Sequence, residues 1–118
     1  MAALTEEQSI LKDQATSWVE AELPVQKFRD FRNSNIDGGF DPKAWSAMVD
    51  MGWTGILVPE TFGGSDLGYL TFGVILEQLG RQLCASPLFA SAYVGASAIN
   101  LGGIEDQKQR WLPGIADG

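Results

Sequence analysis

The segment from Gly52 to Gly68, GWTGILVPETFGGSDLG, constrains the fold more than any other part of this 118-residue chain. It places five glycines and one proline around the short apolar run of residues 56–58. Glycine and proline interrupt regular structure, so the chain is expected to leave a helix here, cross the interior in an extended form and turn tightly at Gly63 and Gly64. The segment is therefore predicted to be a buried link between two helices.

Helical signals begin close to the amino terminus. Thr5 with Gln8 three residues later has the form of a capping box, which predicts a helix start. The apolar residues that follow recur at helical spacing and predict one buried stripe, which consists of Leu11, Ala15, Trp18 and Val19. Pro24 marks the end of this helix or the first turn of the next.

A further helix is predicted to start at Asp41, a good N-cap, followed by Pro42 at the one helical position that favours proline. Trp45, Met48 and Val49 predict its buried face. Gly52 stands where a glycine C-cap is expected.

Two helices are predicted after the glycine-rich segment. The first presents an apolar face that steps by three and four residues, through Tyr69, Phe72, Leu76, Leu79 and Leu83. The second runs from about Glu105 to Leu112 and is expected to stop at Pro113. Only residues 56–58 have β-like composition, so the predicted fold class is all-α, an orthogonal or bundle-like array of five or six helices.

Between these two helices lies a stretch without charge, since no Asp, Glu, Lys or Arg occurs from Leu83 to Ile104. Ser86 and Pro87 are expected to start a helix there as N-cap and first helical residue. Proline and glycine limit it to about 15 helical residues, fewer than the roughly 20 that span a bilayer. We therefore predict a buried central helix and no membrane span. Its small side chains either allow neighbouring helices to approach closely or leave room for a ligand.

Composition excludes several classes of function. The formal net charge of -7 repels phosphate backbones, so nucleic acid is not an expected partner. Cys84 is the only cysteine and the chain has no histidine, which excludes an internal disulfide and a usual zinc site. The first residues carry no secretory or transit signal. A reducing cytoplasm is the predicted location.

No motif for a self-contained active site is present. Phosphate-binding glycine loops, metal-ligand spacing and a nucleophile paired with histidine are all missing from the sequence. Glu60 follows Pro59 in an apolar context, where burial would raise its pKa, but an exposed turn position is the simpler interpretation. No residue is assigned a catalytic role and no metal site is predicted.

Three segments together resemble the amino-terminal helical domain of the acyl-CoA dehydrogenase family. They are the glycine-rich segment with its VPETFGG core, LGRQL at residues 79–83 and DQKQRWLPGIADG at residues 106–118. In that family the helix at the position of the uncharged stretch forms part of the cavity for the fatty-acyl chain. The resemblance therefore implies a set of substrate-binding residues, with Gly95 as a close-approach site: Pro87, Leu88, Ala90, Ser91 and Val94.

The resemblance also implies a longer parent protein. Residues 1–118 would be a single helical domain, the N-terminal part of a three-domain flavoenzyme. Its partners would be the acyl-CoA substrate, the remaining domains and further copies in a homo-oligomer. FAD would be held mainly by the other domains, and no tight FAD binding by this chain alone is expected. A glutamate outside this chain would remove the α-proton of the thioester while the β-hydrogen leaves as hydride to the flavin.

Two other classes of function fit the same sequence. One is a related flavoprotein on the same fold, such as an acyl-CoA oxidase or a flavin-dependent monooxygenase. The other is a free-standing helical interaction module without catalysis. The reading frame beyond Gly118 would separate them, since a β-rich continuation favours the enzymes and a stop codon favours the module.

Overall fold

The computed structural model describes residues 3–35 and 37–118, and within these ranges all regular structure is helical. The α-helices are α1 (Glu6–Glu22), α2 (Val25–Asn33), α3 (Pro42–Asp50), α4 (Gly68–Arg81), α5 (Ala96–Gly102) and α6 (Glu105–Ala116). A π-helix at Phe89–Gly95 runs directly into α5, and two short 3-10 helices lie at Trp53–Gly55 and Glu60–Phe62. The predicted all-α class is confirmed.

The predicted helix starts are confirmed at both N-caps. The Thr5 hydroxyl accepts a hydrogen bond from the Gln8 N–H, and the Gln8 side chain accepts one from the Thr5 N–H, each at 3.1 Å. The Asp41 carboxylate accepts the Lys43 N–H at 2.9 Å. Gly52 adopts φ 77° just after α3, the left-handed conformation expected of a glycine that ends a helix.

α1 packs lengthwise on α4, and the two helices run in the same direction. The Gln8 amide donates to the Thr71 hydroxyl at 3.2 Å. About two helical turns further along both helices, the Thr16 hydroxyl donates to the Gln78 side chain at 3.1 Å. Ala15 of the predicted stripe is buried between these two polar contacts. The pairs therefore fix the register in which the apolar faces meet.

The glycine-rich segment is buried from Trp53 to Val58, is mostly exposed from Glu60 onward, and is not extended. Ile56 has α-helical angles, φ -59° and ψ -39°, and the Val58 N–H donates to the Gly55 carbonyl in a tight turn. The backbone then returns on itself, because the Leu67 N–H bonds the Ile56 carbonyl at 2.8 Å. Consecutive turns satisfy buried peptide groups locally, which a lone extended segment without a neighbouring strand cannot do.

Two apolar clusters form the interior. The larger joins α1, α3, α4 and the glycine-rich segment to the start of the π-helix, and Met48, Phe72 and Leu88 lie at its centre. The smaller holds Val58 against Ala96 of α5 and Leu112 of α6. The glycine-rich segment contributes to both clusters and so connects them.

The predicted apolar face of α4 is correct at Phe72 and Leu79, which are buried, and at the half-buried Leu76. It is wrong at its two ends, since Tyr69 is 46% exposed and Leu83 lies outside the helix. α4 ends at Arg81, and Leu83 adopts φ 55° with 55% of its surface exposed. The Cys84 N–H donates to the Leu79 carbonyl and the Leu83 N–H to the Gly80 carbonyl, which is a Schellman ending with leucine where glycine is usual.

The predicted stop at Pro113 is also wrong, because α6 continues through it to Ala116. The Asp117 N–H donates to the Pro113 carbonyl at 3.0 Å, so helical bonding resumes after the proline. Ile115 and Ala116 pack against the smaller cluster. Their burial offsets the one backbone bond that a proline cannot make.

The uncharged stretch is not the uniformly buried α-helix that was predicted. It begins as a π-helix, and side chains on one side of it are exposed. Across residues 3–35 and 37–118, no helix combines the length and the apolar character that crossing a membrane requires.

Candidate functional site

The five residues implied as an acyl-binding wall lie at the start of the uncharged stretch. The Ser86 hydroxyl accepts the Leu88 N–H at 3.3 Å, and the Ser91 N–H donates to the Pro87 carbonyl at 2.9 Å. Serine and proline therefore start the helix here, as the sequence predicts. The wall residues are fixed to the domain through this first turn.

The structure divides the wall residues between two sides of the helix. Leu88 is fully buried in the larger apolar cluster, whereas Ala90 is exposed and Val94 is 47% exposed. Pro87 and Ser91 are half-buried. Of the five side chains, Ala90 and Val94 thus offer the most surface to a ligand, and Leu88 supports the helix from below.

The π-helical winding adds a residue to this exposed face that the sequence did not single out. In a π-helix the backbone bonds link residues five apart, so residues at i+4 and i+5 both lie close to residue i. Val94 is four residues from Ala90 and five from Phe89. All three therefore share one side of the helix, and Phe89 is 57% exposed.

The opposite side of the helix packs closely against the rest of the domain. Ala92 and Ala96 are buried against the two apolar clusters. A Cβ atom on Gly95 would lie 3.4 Å from the Ala90 carbonyl and 3.9 Å from Ile115. The small residues thus allow close helix approach on one side, which leaves the other side free.

A row of aromatic rings connects the exposed face to the core. The Phe72 and Tyr93 rings are nearly parallel with centroids 5.8 Å apart, and the Tyr93 and Phe89 rings are nearly parallel at 5.3 Å. These are favourable distances for offset stacking. Phe89 and Tyr93 are spaced i, i+4, a pattern of neighbouring aromatic rings that is visible in the sequence.

Tyr69 fixes this row from the side. Its ring meets Tyr93 edge-on at 5.6 Å, and its hydroxyl donates to the Ser97 hydroxyl at 2.8 Å. Of the two aromatic residues on the predicted apolar face of α4, Phe72 is fully buried, whereas Tyr69 stays partly exposed and links α4 to α5.

A separate cleft of about 430 Å³ lies between α2 and the start of α3. Its apolar surface comes mainly from Phe28 and Phe31, with Cys84 beside them. Burial raises the pKa of the Cys84 thiol to about 11, so the thiol stays protonated near neutral pH. Lysine and aspartate side chains alternate around the cleft, so it carries no dominant charge for a ligand.

Glu60 is exposed in its 3-10 helix, as the simpler interpretation predicts. No group of three or more acidic, cysteine or histidine side chains is gathered for a metal in residues 3–35 and 37–118. Buried polar side chains in these ranges all have hydrogen-bond partners within the chain.

Comparisons with known proteins agree with this architecture. Residues 5–118 match the family model described as "Acyl-CoA dehydrogenase, N-terminal domain". The acyl-CoA dehydrogenase FadE12 of Mycobacterium tuberculosis is 30% identical over 97% of this chain, and the acryloyl-CoA reductase (NADH) of Anaerotignum propionicum is 32% identical over 98%. The crystal structure of the ChsE4-ChsE5 complex from Mycobacterium tuberculosis superposes with a TM-score of 0.84 and 26% identity, over 99% of this chain and 32% of that one.

The chain spans only 29% of the length of each of the two sequence relatives. The match to the family model nevertheless covers all but the first four residues. The helical fold observed here is also the one found in the superposed structure. The chain therefore belongs to the acyl-CoA dehydrogenase family, as an N-terminal domain of that family.

Proposed function

We propose that the parent protein dehydrogenates acyl-CoA thioesters between the α and β carbons, and that residues 1–118 form the first of its three domains. The observation that carries this proposal is the exposed, uncharged face at Ala90 and Val94, on a chain whose family membership is established. An acyl chain is apolar and needs such a surface to leave water. This chain would supply the surface, and the glutamate base would belong to the remainder of the parent.

The proposed acyl wall consists of Pro87, Leu88, Ala90, Ser91 and Val94. Ala90 and Val94 would touch the ligand directly, since they are exposed on one side of the helix. Leu88 would act from beneath, because it anchors the helix in the core. FAD, which family membership implies for the parent, would accept the electrons, and no step of that reaction is assigned to a residue of this chain.

The test is a chain-length series in the full-length protein. Ala90→Phe fills the space beside Val94, so long acyl chains would lose buried length while short chains keep theirs. Each methylene that stays in water costs about 0.8 kcal/mol. We expect kcat/KM to fall about ten-fold or more for long chains and to stay nearly constant for short ones.

Ala21→Phe is the matched control, because Ala21 is exposed near the end of α1, on a different helix from the wall. It adds the same bulk and should leave the chain-length profile unchanged. An equal loss for long and short substrates in Ala90→Phe would show a general packing defect and would refute the wall.

The similarity to acryloyl-CoA reductase favours a second candidate, the reverse reaction in which an unsaturated acyl-CoA is reduced. Both directions involve the same carbon pair, so this domain would serve either. Measuring NADH consumption with acryloyl-CoA against the reduction of an artificial acceptor with a saturated acyl-CoA distinguishes them. An acyl-CoA oxidase would instead be recognised by peroxide formation, and a monooxygenase by an oxygenated product.

We also propose that the parent is a homo-oligomer in a reducing cytoplasm. Exposed apolar side chains such as Leu101 and Ile104 support contact with further protein surface in the parent. The single cysteine, which has no partner in this chain for an internal disulfide, supports a reducing compartment. Light scattering of the full-length protein gives its mass, and a strictly monomeric species would refute the oligomer.

A further inference from the structure

Phe89 ends the aromatic row at the surface of the domain. Phe72 is fully buried, Tyr93 is half-buried, and Phe89 leaves its outer side open. The planes differ by only 9° between the first two rings and 10° between the last two. An exposed ring is thus held in one orientation by two rings behind it.

This orientation is set before any ligand arrives. Tyr93 is held edge-on by Tyr69, whose hydroxyl bonds Ser97 of α5. Because Phe89 stacks on a ring that is itself fixed, little further side-chain freedom is lost when something covers it. Such preorganisation favours binding of a partner that matches the ring face.

The surroundings of Phe89 define what would match. Val94 and Ala90 share its side of the π-helix and are also exposed. No charged residue occurs from Leu83 to Ile104. The face that this stretch presents is therefore apolar and uncharged, suited to the face of a ring and unable to pair with a charged group.

We propose that Phe89 is a specificity-determining residue that stacks on an aromatic ring in the substrate's acyl group, so that the parent prefers aryl-substituted acyl-CoA thioesters to linear ones. This inference rests on the proposed function, since it places the ring on the acyl wall. A linear acyl chain that binds here is stabilised only by the apolar area that it buries against this surface. An aromatic ring gains the offset stacking interaction as well, and this corresponds to about 2- to 10-fold in affinity.

The experiment compares three substrates in the full-length protein: 3-phenylpropanoyl-CoA, 3-cyclohexylpropanoyl-CoA and nonanoyl-CoA. Their acyl groups have the same number of carbons, so the carbon count is matched while the shape differs. The cyclohexyl compound has a ring without aromatic faces and separates stacking from ring bulk. Phe89→Leu keeps apolar volume and removes the ring, whereas Phe89→Tyr keeps it.

We expect Phe89→Leu to lower kcat/KM for the phenyl substrate about 3- to 10-fold relative to both other substrates, and Phe89→Tyr to retain the preference. Trp111→Leu, an exposed aromatic of α6 outside the row, is the control and should leave the three ratios unchanged. Thermal unfolding of each variant checks that the fold persists.

Two results would overturn the inference, and they differ. If the unaltered protein turns over the substrates and Phe89→Leu lowers all three rates equally, Phe89 packs against the rest of the parent and does not select the acyl group. If the unaltered protein turns over none of them, the proposed function fails and the stacking role fails with it.

Discussion

Thr54 Oγ1 donates a hydrogen bond of 2.6 Å to the carbonyl oxygen of Ala116, 62 residues further along the chain. Thr54 is buried in the glycine-rich segment, and Ala116 is the last residue of α6. A helix leaves its last carbonyls without intrahelical partners. The bond satisfies one of them and ties the segment to the end of the domain.

Removing this hydroxyl should weaken the fold. Thr54→Val keeps the shape of the side chain but leaves the Ala116 carbonyl with one partner fewer, so the free energy of unfolding should fall by about 1 kcal/mol. Thr61→Val, at an exposed threonine of the same segment, is the control. Urea unfolding of both variants measures the difference, and equal values would show that the bond contributes nothing.

Gly64 should tolerate no side chain. A Cβ atom there would collide with the backbone carbonyl group of Val58, so Gly64→Ala must displace the turn and should cost about 1–3 kcal/mol. Gly80 lies in α4 with open space where a Cβ would be. Gly80→Ala should therefore change stability in the opposite sense, with a gain of up to about 1 kcal/mol. Thermal melts that shift both variants the same way would contradict the packing.

Replacing Leu83 with glycine should stabilise the fold. It occupies the left-handed position of the Schellman ending at φ 55°, which costs a non-glycine residue about 1–2 kcal/mol, and its side chain is largely exposed. We expect Leu83→Gly to raise the free energy of unfolding by up to about 1 kcal/mol. Leu70→Gly, at an exposed leucine inside α4, should lower it by about the same amount. Destabilisation by both variants would show that Leu83 packs more than its exposure indicates.

The capping box should account for part of the stability of α1. Thr5→Ala removes the acceptor for the Gln8 N–H and should cost about 1 kcal/mol. Thr5→Ser retains the hydroxyl and should restore most of that loss. Chemical denaturation of the two variants gives the comparison, and an alanine variant as stable as serine would contradict the role of the cap.

Cys84 should make stability fall at alkaline pH. In an unfolded chain the pKa of a cysteine thiol is about 8.5. In the folded chain, burial raises the pKa of Cys84 to about 11. The folded state therefore binds more protons between these values, and the free energy of unfolding decreases as pH rises through that window.

Cys84→Ala removes this titration and leaves the other alkaline groups in place. Relative to Cys84→Ala, the unaltered chain should lose free energy of unfolding as the pH rises from about 8.5 to 11. Urea unfolding at several pH values measures it. A difference independent of pH would mean that the folded thiol titrates normally.

The predicted helix starts and the glycine C-cap, which depend on a few neighbouring residues, are confirmed. The capping box at Thr5, the N-cap at Asp41 and the left-handed glycine at Gly52 each involve groups no more than a few positions apart. The acyl wall was taken from family resemblance, and its assignment stays a prediction. The sequence does not show that Leu88 faces the core and Ala90 the surface, because the π-helical winding decides which side each residue takes.

The sequence by itself determined the helical class, the positions of the caps and the burial of the apolar run at residues 56–58, because side-chain type and spacing set these locally. Only the tertiary structure decided the π-helix, the left-handed Leu83 and the continuation of α6 through Pro113. Local preferences amount to about 1 kcal/mol or less for an ordinary residue, and about 3 kcal/mol for a proline within a helix. Distant contacts, such as those of Phe72 with Tyr93 and of Thr54 with Ala116, bury several groups at once and override such preferences.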